Sequence, residues 1–136
     1  MEIVITGTRM FAEEVHRAKE APASDLPTLT TEQKAVAKCF EISDERYARM
    51  ELAARYGKER LRKAADAMAR IIESELSKLV PGAELRTLVY EVGLEPHRIL
   101  VGYKGKDLTF TFPPDDESED YLRKLSKQIA DSISSS

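Results

Sequence analysis

"LVYEVGLEPHRILVGYKGKDLTFTF", residues 88–112, contains three short runs in which every second residue is apolar. Leu88, Tyr90 and Val92 alternate, then Ile99, Val101 and Tyr103, then Leu108, Phe110 and Phe112. A period of two belongs to a strand with one face in oil and one in water. Gly93 and Pro96 separate the first two runs. Lys104 to Asp107 (KGKD) separates the last two with the residue types of a tight hairpin. The spacing predicts a three-stranded antiparallel meander over about 85–112 whose apolar face needs a cover.

Two helical patterns flank it. Leu61, Ala65, Met68, Ile72, Leu76 and Leu79 recur in steps of three and four, which predicts a long helix over about 58–80, stopped by Val80 to Ala83 (VPGA). Leu122, Leu125, Ile129 and Ile133 form a second stripe, in a helix over about 115–133. Pro113 and Pro114 end the last strand. Asp115, Asp116 and Glu117 then favour a helix start, where the backbone dipole is positive. The expected fold class is therefore α+β, with two layers: the meander, covered by the long helix and the C-terminal helix.

Upstream, residues 31–56 read as a helical corner. Thr30 and Gln33 have the spacing of a capping box, and Ser43 with Asp44 and Glu45 signals a second helix start. Ala37 is the small residue at which two helices can touch, with Val36, Phe40, Ile42, Tyr47 and Met50 as its apolar clamp. The turn falls on Glu41, where glycine is usual; a left-handed backbone there costs a residue with a Cβ roughly 1 kcal/mol or more. Gly57 either ends one helix or sits inside a longer one at about 1 kcal/mol relative to alanine.

Before the corner, Glu2 to Thr6 is a β-branched run stopped by Gly7, and Met10 to Glu20 suits a short helix with Phe11, Val15 and Ala18 on one side. Ala21 to Leu29 (APASDLPTL) is an extended connector. The expected organisation is a strand-bearing arm and linker at 1–29, then one α+β domain at 30–136. The strand must pair, either with the sheet of its own chain or with a neighbouring subunit.

The order helix–strand–strand–strand–helix from Gly57 to Ser136, with "GLEPHRI" (93–99), resembles the double-stranded-RNA-binding domain. That family's function implies a lysine cluster at the start of the last helix, set against phosphates. This chain has "PPDDESED" (113–120) there, which repels RNA, so the resemblance extends to topology and not to activity.

The 136 residues are 42% hydrophobic and 33% charged with net charge −3, a globular balance without bulk attraction to nucleic acid. Residues 1–10 lack the apolar core and cleavage site of a signal peptide, and no apolar run nears the roughly 20 residues of a membrane span. A cytoplasmic location away from membranes is expected. Cys39 is the one cysteine, so no internal disulfide can form, and its place on an apolar helix side reads as buried. His16 and His97 read as isolated surface residues. No nucleophile has a recognisable base, "ITGTR" (5–9) lacks the spaced glycines of a phosphate loop, and the contiguous acids at 115–120 lack calcium-loop spacing. No catalytic residue, cofactor or metal is expected.

The remaining expectation is a protein-binding or assembly module, self-associating through the strand at Ile3, Val4 and Ile5, with Arg60, Arg62 and Lys63 as a polar rim. The alternative is a DNA-binding regulator that uses segment 33–52 as a helix-turn-helix, with Arg46, Arg49 and Arg55 as contacts. Asp44 and Glu45 weigh against it, because they bring the wrong sign to phosphates.

Overall fold

A computed structural model describes residues 1–113 and 117–135. In chain order the elements are β1 (Glu2–Thr6), α1 (Ala12–Glu20), a 3-10 turn (Ala23–Asp25), α2 (Thr31–Cys39), α3 (Asp44–Leu79), β2 (Glu84–Glu91), β3 (His97–Tyr103), β4 (Lys106–Phe112) and α4 (Glu119–Ser134). The class is α+β, with a four-stranded mixed sheet in the order β1-β2-β3-β4. The chain divides into two compact units: Met1–Gly7 with Leu61–Ser136, and Thr8–Arg60.

In the sheet unit the meander forms where the alternation puts it. The β3–β4 turn is Lys104–Gly105, both at positive φ, the backbone that two-residue hairpins require. The expected three strands are, however, four. Ile3, Val4 and Ile5 lie beside Leu88, Val89 and Tyr90 in parallel register, so the N-terminal segment is not a free arm. A parallel neighbour needs a long crossover with a helix in it, and the chain between Gly7 and Glu84 supplies one. Gly7, at φ +92, turns the backbone out of β1.

Leu88, Ile99 and Phe110 are cross-strand neighbours on one face, as are Val101 and Leu108. Leu85 belongs to the same buried face although it is three residues from Leu88. The register slips between Leu85 and Thr87, and the extra residue, Arg86, restores the parity. The stripes of α3 (Leu61, Ala65, Met68, Ile72, Leu76) and α4 (Leu122, Leu125, Ile129, Ile133) are buried as their periods predict, except that Leu79, the last residue of α3, is exposed. Arg123 on α4 reaches Glu75 on α3 at 3.7 Å. Truncating one such buried Leu or Ile to Ala costs roughly 2–5 kcal/mol, a large part of a small domain's stability. The final helix starts at Glu119 rather than near 115, where Ser118 Oγ accepts from the Tyr121 amide at 3.3 Å. Asp115 and Asp116 lie outside the described residues.

In the helical unit the caps are those the spacing predicts. Thr30 and Gln33 complete a capping box (3.1 and 2.9 Å), and Ser43 Oγ accepts from the Arg46 amide at 3.1 Å. Glu41 adopts the left-handed conformation, φ +56. Of the two readings of Gly57 the second holds: it sits inside a longer helix, and α3 runs unbroken from Asp44 to Leu79, not from 58. The reason for a glycine there is steric. A Cβ at Gly57 would lie 2.6 Å from the Arg9 carbonyl oxygen, so glycine lets the chain before α1 press against the helix. The Arg60 guanidinium stacks over Phe11 at 4.2 Å and bonds Glu14 at 3.1 Å, closing the same contact. Ala18, Leu52 and Ala53 form the core here, with Val15, Ala21, Leu26 and Tyr56 against it.

These two positions give opposite expectations. Gly57→Ala improves intrinsic helix propensity by about 1 kcal/mol but drives a methyl into a carbonyl, so the net change is a destabilisation of about 1–3 kcal/mol. Glu41→Gly relieves the left-handed strain and stabilises by about 1 kcal/mol. Urea unfolding followed by circular dichroism checks both. A raised midpoint for Gly57→Ala would contradict the close approach of Arg9.

Candidate interaction surface

Phe40 is 72% exposed, Met10 51%, Met50 49% and Val36 40%, all within Thr8–Arg60. The buried apolar residues of the same unit are Ala18, Ala37, Ala48, Leu52 and Ala53. The large side chains read as corner clamps are therefore mostly outside, and alanines form the interior. Helices that meet through alanine approach closely, which leaves no room between them for a phenylalanine or methionine. Cys39, expected to be buried, is exposed. It lies two residues, about 200°, around α2 from the buried Ala37.

Between α1 and α3 runs a cavity of about 290 Å³. Met10, Val15, Met50 and Ala53 form its apolar lining, and Lys19, Arg46 and Arg49 its cationic one. Val15 and Lys19 are one turn apart on α1. Arg46, Met50 and Ala53 follow one stripe of α3, so both walls continue along their helix axes. Arg49 has a structural task. Its Nη1 donates to the carbonyls of Ala18, Lys19 and Ala21 (3.0, 3.0 and 2.8 Å), and its Nη2 to Glu45 at 2.9 Å. A guanidinium thus satisfies the last carbonyls of α1, where a cation also suits the helix dipole.

The residues singled out from the sequence do not gather in one place. Ile3, Val4 and Ile5 are half-buried in the edge strand of the sheet unit. Arg60 is engaged with Glu13, Glu14 and Phe11, whereas Arg62 and Lys63 are exposed. Of the alternative DNA contacts, Arg46 and Arg55 are exposed and Arg49 is held by α1 and Glu45.

The sheet unit holds one polar site that the sequence reading missed. His97, expected at the surface, is 1% exposed. It shares the parity of Ile99 and Val101, the signal that could have placed it inside. Its ring stacks on Tyr90 (centroids 4.6 Å apart) and tilts against Phe112 at 5.2 Å. Nδ1 accepts from the Glu91 amide at 2.9 Å, so the proton of the neutral ring is on Nε2. Nε2 lies 3.9 Å from Glu117 Oε1, beyond hydrogen-bond range, and has no other partner among the described residues. The Tyr90 hydroxyl donates to that same Glu117 oxygen. Burial pushes the imidazole below its usual value of 6.5, against the upward pull of Glu117 and Glu91. Among the described residues no group of three or more His, Cys, Asp or Glu is placed to hold a metal ion. No helix there is long and apolar enough to cross a membrane.

Comparison with protein-family models, with curated proteins and with solved structures finds no match.

A histidine whose folded pKa lies below its unfolded one contributes stability above about pH 6.5 that is lost as pH falls through that value, because only the unfolded chain takes the proton. The expected outcome is a fall in stability as the pH is lowered from 7 through 6.5, with a slope of up to about 1.4 kcal/mol per pH unit. His97→Gln, which keeps an acceptor for the Glu91 amide and cannot titrate, should flatten it. Parallel wild-type and variant curves in urea unfolding would remove this assignment.

Proposed function

We propose that this chain is a non-catalytic protein-binding and assembly module, using its helical unit to hold a protein and the outer edge of β1 to join copies of itself. The observation that carries the reading is the inverted burial of Thr8–Arg60, where alanines are inside while Phe40, Met10 and Met50 face solvent. Exposed aromatic and methionine side chains are the composition of a contact surface, and flexible methionine adapts to a partner's shape. Such a unit gains burial on binding that its own thin core does not supply.

The second contact follows from strand geometry. The amide and carbonyl of one strand residue point to the same side in a parallel pair. The Thr6 carbonyl accepts from the Val92 amide, so by alternation Val4 also faces β2. Ile3 and Ile5 then present their peptide groups to the outer edge of the sheet. Five residues offer about four backbone hydrogen bonds, each worth about 1 kcal/mol net, which supports only a weak association.

Sedimentation velocity over a range of protein concentrations tests this reading. A concentration-dependent dimer is expected, with a dissociation constant on the order of 100 µM. Val4→Lys, which charges the edge strand without touching the apolar faces of Ile3 and Ile5, should weaken it at least about fivefold. A chain that stays monomeric throughout removes the self-assembly. Steeply salt-dependent binding to duplex DNA, abolished by Arg46→Glu with Arg55→Glu, would favour the nucleic-acid reading instead.

A further inference from the structure

We infer that the α1–α3 groove receives an amphipathic helix of a partner protein, apolar along one stripe and acidic on both flanks. The inference rests on the protein-binding reading above and is independent of self-association.

The shape of the occupant follows from what the groove lacks. Apart from Met10, which precedes α1, its walls are two helices whose backbone groups are bonded within the helix, so it has no strand edge to pair with a guest. A segment entering an apolar groove must satisfy its own amides and carbonyls, and a helix does so. Met10, Val15, Met50 and Ala53 supply the apolar contact, and the two methionines can shift to fit side chains of different shape.

The charge of the occupant follows from an accounting of the walls. Arg49 is committed to the end of α1 and to Glu45. The acids of α1 are turned to other partners: Glu13 and Glu14 to Arg60, and Glu20 to His16. Among the described residues, no ion pair forms on the side chains of Lys19 and Arg46, one on each wall. A guest with a carboxylate on each side of its apolar stripe complements both cations, and one carrying lysines is repelled.

The same accounting disfavours a second copy of this chain. The apolar stripe of α4 is buried in the sheet unit, and that of α3 from Leu61 to Leu76 with it. The exposed Val36 and Phe40 of α2 come with Lys34 and Lys38 as well as Glu32 and Glu41, a mixture of signs and not the two acidic flanks that complement this groove.

The test is fluorescence anisotropy of the full chain with a labelled synthetic peptide of about four helical turns, leucine along one stripe and glutamate on both flanks. Its isomer with lysine in place of glutamate serves as the comparison, and decanoate as the small-molecule competitor. Saturable binding of the acidic peptide is expected, at least about tenfold tighter than the basic one and weakened severalfold by added salt. Lys19→Glu with Arg46→Glu should reverse the preference, and Met50→Glu should weaken binding at least about tenfold, both with unchanged circular dichroism. Because charge reversal predicts a gain for the basic peptide, a merely damaged fold cannot imitate it. Equal affinity for the two peptides, no binding of either, or decanoate binding without peptide binding would overturn the inference. So would a dimer abolished by Met50→Glu, which would make a second copy the occupant. A monomeric chain that binds the acidic peptide removes only the self-assembly, and a dimer through β1 that ignores the peptide removes only this inference.

Discussion

The parallel pairing of β1 with β2 is the constraint on which the sheet unit depends. Ile3 meets Leu88 and Ile5 meets Tyr90, so the first residues of the chain are built into a layer otherwise made from residues 84–112. Parallel strands cannot be joined by a hairpin. Everything between Gly7 and Glu84 becomes the connection, and the second half of α3 serves as its crossover helix. Thr8–Arg60 is then an insertion between a strand and its crossover helix. Insertions of this kind are a common way for a scaffold to carry a binding surface, because the sheet's packing does not depend on what the inserted segment exposes.

The two units solve the burial problem differently. The sheet unit hides Leu, Ile, Met and Phe in alternating and helical patterns; its buried polar side chains include His97, held between Tyr90 and Phe112 with its Nδ1 satisfied, and Ser126, whose hydroxyl donates to the Leu122 carbonyl. The helical unit hides alanine and relies on polar fastenings. Arg49 ties the end of α1, Arg60 ties its start, and Arg17 stacks on Tyr56 at 3.8 Å. Cations placed on carbonyls and rings hold the segment in position while its larger apolar groups remain outside.

Legibility followed the same division. The strands, the hairpin turn and the stripes of the two covering helices are readable because each repeats a period that only one backbone geometry satisfies. Local caps are readable for a similar reason, since Thr30 with Gln33 and Ser43 with Asp44 act within a single turn. The parallel strand was not. Nothing local in "EIVIT" (2–6) distinguishes a partner 85 positions away from one in another chain. The covered side of the helical corner was equally hidden. An apolar stripe shows which residues avoid water, and it does not show whether anything covers them. Phe40 and Cys39 were misplaced on that account. Gly57 leaves a break and a continuous helix both open because propensity is local, whereas the close passage of the Arg9 carbonyl is not.

The distance from Ile3 to Leu88 has a consequence for how the molecule is made. A ribosome adding about 5–20 residues per second delivers the partner strand on the order of ten seconds after the first. Throughout that interval the β-branched opening segment has no native neighbour and is open to capture by chaperones or by other nascent chains. Pairing of β1 with β2 therefore waits until the chain some 85 positions further on has been made.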